Sequence, residues 1–152
     1  MRILLVGGGR PGLELTRALA AEGHAVRFVT RHEAFRDEIE AAGGECWIGT
    51  PDVVGTLRYA LENVTILMWL LGGVDEEPLH GSRLRMMLEK TTDTTVRGVV
   101  YEVGTEAGVA EMEHAWATNE IPFTLLRADR ADASAWVGAT RAAIDDVLAV
   151  RR

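Results

Sequence analysis

The feature of this sequence that most restricts its fold is a series of short apolar runs separated by segments of helical length. Six runs of strand length are predicted, at residues 2–7, 25–30, 45–48, 65–71, 97–103 and 123–126. The runs ILLVG and TILMWLL do not alternate with polar residues, which is typical of strands covered on both faces. Strands that alternate with helices imply right-handed crossovers and a parallel sheet. We therefore predict an α/β fold, with a single doubly wound parallel sheet of about six strands and helices on both faces.

The segments between the runs carry apolar residues at helical spacing, so each offers one apolar stripe to the sheet. Pro11 opens the first predicted helix, Gly23 closes it, and Pro51 opens the third helix. The apolar stripe of that third helix comprises Val54, Leu57 and Leu61. No repeat or linker interrupts the pattern, so we expect residues 1–152 to form a single domain.

The charge of the chain restricts its partners. With 16 basic and 23 acidic side chains, the net charge is −7, which argues against nucleic acid and anionic membranes as partners. No apolar run approaches the roughly 20 residues that span a bilayer, and the first strand begins too early for a signal peptide, so we expect a cytoplasmic location. Because Cys46 is the only cysteine, we expect neither an internal disulfide nor a cysteine-based metal site.

A glycine-rich loop, GGGRPG, directly follows the first predicted strand. It fits the pattern G-x-G-x-x-G through Gly7, Gly9 and Gly12. In a dinucleotide site, Gly7 would allow the tight turn, Gly9 would let the backbone approach a pyrophosphate, and Gly12 would let the helix pack on the strand. The helix that follows would direct its free N–H groups and positive dipole end at the anion. The other interpretation is that these glycines satisfy only the sterics of a strand-to-helix turn.

The end of the second strand indicates which dinucleotide would bind. NAD sites usually place an acidic residue there to accept from the ribose 2′-hydroxyl, but this chain has Thr30 and Arg31. A guanidinium can instead hold a 2′-phosphate by charge-assisted hydrogen bonds. Arg10 is placed to stack on the adenine or to share that phosphate. We therefore predict a cofactor site formed by Gly7, Gly9, Arg10, Gly12, Thr30 and Arg31 that favours NADP over NAD. If the register shifts by one turn, Glu33 becomes the ribose acceptor and NAD the ligand.

Several stretches of the chain resemble a known family. The resemblance covers nearly the whole chain in order, through ILLVGGGRPGLELTRALAAEGHAVRFVTR, GGECWIGTPDVVGTLRYALENVTILMWLLG, RGVVYEVGT and IPFTLLRAD. It is to the NAD-dependent epimerase and NmrA-like branch of the short-chain dehydrogenase/reductase superfamily. The resemblance implies a Rossmann-like sheet ordered 3-2-1-4-5-6 that binds NAD(P)(H) along its carboxyl edge, and also a possible homodimer. The glycine spacing departs from the G-x-x-G-x-x-G of that family, and GGGRPGLE is also similar to flavin-binding loops. FAD is therefore a lesser alternative.

The catalytic pair of that family is missing. Its members use Tyr-x-x-x-Lys, whereas here the only lysine, Lys90, precedes Tyr101 by eleven positions and Met86 stands where the tyrosine would be. We therefore assign no catalytic residue and do not expect sugar-nucleotide epimerisation. The leading hypothesis is an NADP(H)-binding protein that acts as a binding or redox-sensing module. The alternatives are a small reductase that transfers hydride from NADPH to a flavin, quinone or similar acceptor, and an interaction protein that has lost cofactor binding.

Two further predictions concern His80 and the tryptophans of the last two helices. His80, at the start of the fourth predicted helix, is expected to be a surface residue, although it could instead face a substrate. Trp116 and Trp136 lie in the last two helices, where they mark either a homodimer surface or helix faces buried against the sheet of this chain.

Overall fold

The six apolar runs form one six-stranded parallel sheet in the structure, a computed structural model that describes residues 1–150. The strand order is β3-β2-β1-β4-β5-β6, so the predicted doubly wound sheet and its order are confirmed. The strands are β1 Arg2–Gly7, β2 Ala25–Thr30, β3 Glu45–Ile48, β4 Ile66–Leu70, β5 Gly98–Glu102 and β6 Phe123–Leu126. Every residue of β4 and β5 is buried, which agrees with strands that are covered on both faces.

Five α-helices cover the two faces of the sheet. They are α1 Gly9–Ala21, α2 Arg36–Ala41, α3 Ser82–Thr91, α4 Glu106–Asn119 and α5 Ala133–Ala149. One core cluster joins α1, α2 and α5 to the sheet, and a second joins α3, α4 and the segment before β4. Alternate residues of β1 supply both clusters, because successive side chains of a strand point to opposite faces. The carboxyl ends of all six strands therefore share one edge, where the candidate site lies.

The third predicted helix is wrong in type although its apolar stripe is right. The segment forms two 3₁₀ helices, Val54–Leu57 and Tyr59–Leu61, and its stripe residues Val54, Leu57 and Leu61 are buried. The Thr56 hydroxyl accepts from the Thr50 N–H at 2.9 Å and lies 2.7 Å from the Val53 carbonyl oxygen. Such local bonds between a side chain and the backbone compete with α-helical hydrogen bonds. They hold this segment in tighter turns.

The two tryptophans of the last helices lie in different surroundings. Trp136 is fully buried between α5 and the sheet, so it cannot contribute to a dimer surface. Trp116 is 38% exposed on α4. No helix within residues 1–150 is both long and apolar enough to cross a membrane.

Candidate functional site

The glycine loop forms a turn that only glycine can make. Gly7, Gly8 and Gly9 have φ angles of 88°, 90° and 56°, in the region that L side chains rarely adopt. A Cβ atom on Gly7 would lie 2.4 Å from the carbonyl oxygen of Leu70, because β1 and β4 are neighbours and pair at these two residues. The Gly8 N–H donates to that same Leu70 oxygen at 2.8 Å. The backbone of the turn is thereby fixed against the end of β4.

The turn leads directly into α1, which begins at Gly9, two residues before the predicted start at Pro11. Within residues 1–150, the N–H groups of Gly9 and Arg10 have no hydrogen-bond acceptor, and Pro11 has no N–H. A Cβ on Gly12 would lie 3.3 Å from the Phe28 ring, so this glycine lets α1 pack closely on the sheet. Around Gly9 a Cβ would meet no atom closer than 3.9 Å, so the turn ends in open space, with free N–H groups at the positive end of a 13-residue helix, an arrangement that fits a phosphate group.

A pocket of about 260 Å³ lies beside this turn, between the ends of β1, β2 and β3. Three of the predicted site residues, Gly7, Thr30 and Arg31, line it. Gly9 and Gly12 lie in the adjoining turn and first helical turn. Arg10 points elsewhere: its exposed guanidinium lies 3.5 Å from the Glu38 carboxylate on α2, outside this pocket. The structure therefore brings most of the predicted set together but not Arg10.

The charged groups at the end of β2 bear on the choice of cofactor. The Arg31 side chain is 66% exposed, and its Nη1 lies 3.5 Å from the Asp52 carboxylate, which also lines the pocket. Glu33, the alternative ribose acceptor, lies outside the pocket lining and forms a hydrogen-bonded ion pair with Arg36. That hydrogen bond from Arg36 lowers the pKa of Glu33. Arg31 is thus the arginine at the pocket, where it faces Asp52, and the carboxylate-bearing residue Glu76 also lines the pocket.

A second cleft, of about 380 Å³, lies along the carboxyl ends of β4, β5 and β6, and sequence reasoning missed its main feature. Glu102, the last residue of β5, is only 4% exposed. Its carboxylate accepts hydrogen bonds from the Gly72 N–H at 2.7 Å, the Trp136 indole N–H at 2.7 Å and the Arg130 Nε at 2.9 Å. A carboxylate that ends a strand buried on both faces was the available signal, but its partners are 28 to 34 residues away in the sequence.

His80 is not the surface residue that the sequence predicts. It is 1% exposed, and its Nδ1 lies 2.7 Å from the hydroxyl of Tyr101, which is also fully buried. Its Nε2 lies 3.1 Å from the Val74 carbonyl oxygen, which can only accept, so in the neutral imidazole Nε2 donates and Nδ1 accepts from Tyr101. Burial raises the pKa of Tyr101. The cluster links the loop after β4 to the core.

Residues 1–150 contain no cluster of three or more histidine, cysteine, aspartate or glutamate side chains that could hold a metal ion.

No family model and no curated protein sequence matches this chain. Solved structures do match. Triphenylmethane reductase from Citrobacter sp., complexed with NADP(H), has a TM-score of 0.66 and 20% identity, and the match covers 84% of this chain and 49% of the reductase. UDP-glucuronic acid 4-epimerase from Bacillus cereus, in complex with NAD, has a TM-score of 0.65 and 15% identity, covering 84% and 55%. Anaerobillin reductase from Escherichia coli O157:H7 has a TM-score of 0.62 and 16% identity, covering 84% and 72%.

These similarities establish the fold. The chain has the Rossmann-like α/β fold of nicotinamide-dinucleotide-binding epimerases and reductases, as the sequence resemblance implied. It spans about half the length of the epimerase and of the triphenylmethane reductase.

Proposed function

We propose that this protein binds NADP(H), in preference to NAD(H), along the carboxyl edge of its sheet. The observation that carries the proposal is the continuity between the glycine turn and the pocket: Gly7 and Arg31 line the same 260 Å³ space. The free N–H groups of Gly9 and Arg10 would hold the diphosphate, and Arg31 would hold the 2′-phosphate of the adenosine ribose. Similar folds bound to NADP(H) and to NAD support the class of ligand.

The residues of this chain account for binding rather than catalysis. When bound, a nicotinamide group supplies hydride transfer, for which the protein must position the reactive carbon and exclude competing reactions. The sequence lacks a Tyr-x-x-x-Lys pair, and the Tyr101 hydroxyl is bonded to His80 inside the core. We therefore propose a binding or redox-sensing role as the primary function.

Calorimetric titration with NADPH and NADH tests this proposal. A charge-assisted hydrogen bond contributes about 1.5 to 3 kcal/mol. The expected preference for NADPH is therefore about ten- to a hundredfold. The variant Arg31→Asp should abolish or reverse this preference. Arg141→Asp is the matched control, because Arg141 is also exposed and paired with a carboxylate, that of Glu22, at the far end of α1.

The outcomes of this titration are distinct. An unchanged preference in Arg31→Asp would show that this arginine does not read the 2′-phosphate. Binding of neither dinucleotide by the wild-type protein would contradict the proposal and leave the interaction-protein hypothesis.

The second cleft favours one alternative, a small reductase. This space of about 380 Å³ is lined by Gly72, Gly73, Glu102 and Arg130. Arg130 brings it close to the glycine turn, because its Nη1 lies 3.9 Å from the position that a Cβ on Gly9 would take. An acceptor seated there would receive hydride from bound NADPH and a proton from water. The absorbance at 340 nm, followed with a panel of flavins and quinones, tests this alternative. Steady oxidation of NADPH that depends on the protein would establish an enzyme, and no oxidation would leave the binding role.

A further inference from the structure

We infer that Arg130, carried by the loop after β6, is a second anchor for the diphosphate of the bound dinucleotide, and that Glu102 positions it. The inference rests on the proposed function and adds to it a residue outside the glycine motif. Arg130 lies opposite the glycine turn: its Nη2 donates to the Leu70 carbonyl oxygen at 2.6 Å. The same oxygen accepts from the Gly8 N–H, so the guanidinium and the turn are fixed to one atom.

The free corner of the guanidinium faces the start of α1. Arg130 Nη1 has no acceptor within residues 1–150, and it lies 3.9 Å from the position that a Cβ on Gly9 would take. The N–H groups of Gly9 and Arg10 also lack acceptors there. Donors from two distant parts of the chain, the glycine turn and the loop after β6, therefore border the same space. Planar guanidinium groups are well suited to phosphate oxygens, which accept parallel N–H bonds.

The buried carboxylate of Glu102 fixes this geometry in advance. Glu102 binds Arg130 through Nε and Nη2, while the Gly72 N–H and the Trp136 indole N–H hold the carboxylate itself. The Arg130 guanidinium also lies 5.4 Å from the centroid of the Trp136 ring. An arginine held on three sides loses little side-chain freedom when it binds a ligand. Its remaining N–H groups at Nη1 are therefore available without rearrangement.

The charge balance distinguishes Arg130 from Arg31. Glu102 offsets the positive charge of Arg130, so the expected contribution depends on the direction of the Nη1 donors rather than on net charge. The diphosphate is common to NADP(H) and NAD(H). Arg130 should therefore strengthen the binding of both cofactors equally, whereas Arg31 should distinguish between them.

Two variants test the inference without leaving the buried Glu102 carboxylate unpaired. Arg130→Lys keeps a positive charge beside Glu102 but loses the planar guanidinium. An ammonium group that pairs with Glu102 has no separate N–H group directed at the phosphate. The double variant Glu102→Gln with Arg130→Gln removes both charges and leaves an amide oxygen in place of one carboxylate oxygen, so that it accepts from either the Gly72 N–H or the Trp136 indole N–H. Arg141→Lys is the control for the first variant, because Arg141 also pairs with a glutamate but lies far from the site. Thermal unfolding without ligand confirms that each variant is folded.

The measurement is calorimetric titration with NADPH, NADH and adenosine 2′-monophosphate, which has the 2′-phosphate but no diphosphate. Loss of one charge-assisted contact should weaken both dinucleotides about ten- to a hundredfold in both variants. The preference for NADPH and the affinity for adenosine 2′-monophosphate should stay unchanged. Unchanged dinucleotide affinity in Arg130→Lys would overturn the inference, and so would tighter binding, which would show that Arg130 obstructs the site. These results leave the proposed function intact, whereas a wild-type protein that binds neither dinucleotide overturns both.

Discussion

The hydrogen bond between Tyr101 and His80 offers the sharpest test of the energetics of this fold. In Tyr101→Phe the ring stays and only the hydroxyl is lost, so the Nδ1 of His80, which is 1% exposed, loses its donor. Leaving one buried acceptor without a partner costs about 1 to 3 kcal/mol. The Gly104 N–H, which is 3.4 Å from the hydroxyl, loses only a weak acceptor. For a chain of 152 residues this corresponds to a fall in Tm of about 2 to 4 °C per kcal/mol.

Urea denaturation of four proteins measures this cost: wild type, Tyr101→Phe, His80→Leu and the double variant. The control is Tyr59→Phe, because Tyr59, the only other tyrosine, is 70% exposed and should be nearly neutral when changed. Loss of the hydroxyl should cost less in the His80→Leu background, where no acceptor remains to be deprived. An equal cost in both backgrounds, or no cost in the wild type, would refute the assignment of this hydrogen bond.

Three other predictions follow from single contacts. Gly7 and Gly23 have φ angles of 88° and 90°, but a Cβ meets the Leu70 carbonyl oxygen at 2.4 Å on Gly7 and no atom within 4 Å on Gly23. In urea denaturation Gly23→Ala should therefore cost about 1 to 2 kcal/mol from strain alone, and Gly7→Ala about 1 to 3 kcal/mol more; equal costs would contradict the crowding at Gly7. Because burial raises the pKa of Tyr101, the unfolded chain releases this proton first as pH rises above about 10. Stability should therefore fall with rising pH above that value, and a pH series of thermal melts should show a smaller fall in Tyr101→Phe. Asp52→Asn removes the carboxylate 3.5 Å from Arg31, so calorimetry should show a several-fold greater preference for NADPH; a preference shifted toward NADH would identify Asp52 as the ribose acceptor.

The sheet could be predicted from the sequence because its strands are defined by local pattern. Continuous apolar runs such as ILLVG mark strands buried on both faces, and all six predicted runs contain the observed strands. The segment before β4 was harder, since apolar spacing at 54, 57 and 61 fits an α-helix and a pair of 3₁₀ helices alike. Hydrogen bonds between Thr50 and Thr56 decide between them. Spacing alone does not contain that information.

In the candidate site, too, features that are local in the sequence could be predicted, whereas contacts between distant residues could not. The glycine turn and Arg31 are local to one strand end each, and the sequence places them on one edge once a parallel sheet is assumed. The Glu102 and Arg130 pair and the His80 and Tyr101 pair join residues that are 28 and 21 positions apart. Such pairs depend on how loops return across the sheet edge, which hydrophobic periodicity does not specify. The sequence therefore predicted the glycine turn and Arg31 as parts of one site. It missed the Glu102 and Arg130 pair and the His80 and Tyr101 pair.

The connection between β4 and α3 is polar, yet hydrogen bonds from buried side chains hold it in place. The indole N–H of Trp69 donates to the Leu79 carbonyl oxygen at 2.8 Å, and His80 holds the carbonyl of Val74. Both hydrogen bonds come from side chains buried in the core, so the segment between them is held at both ends, while Asp75, Glu76 and Glu77 within it are exposed. A molecule that binds beside this connection meets a surface whose shape is already fixed. Little of the free energy of association is therefore lost to ordering the backbone.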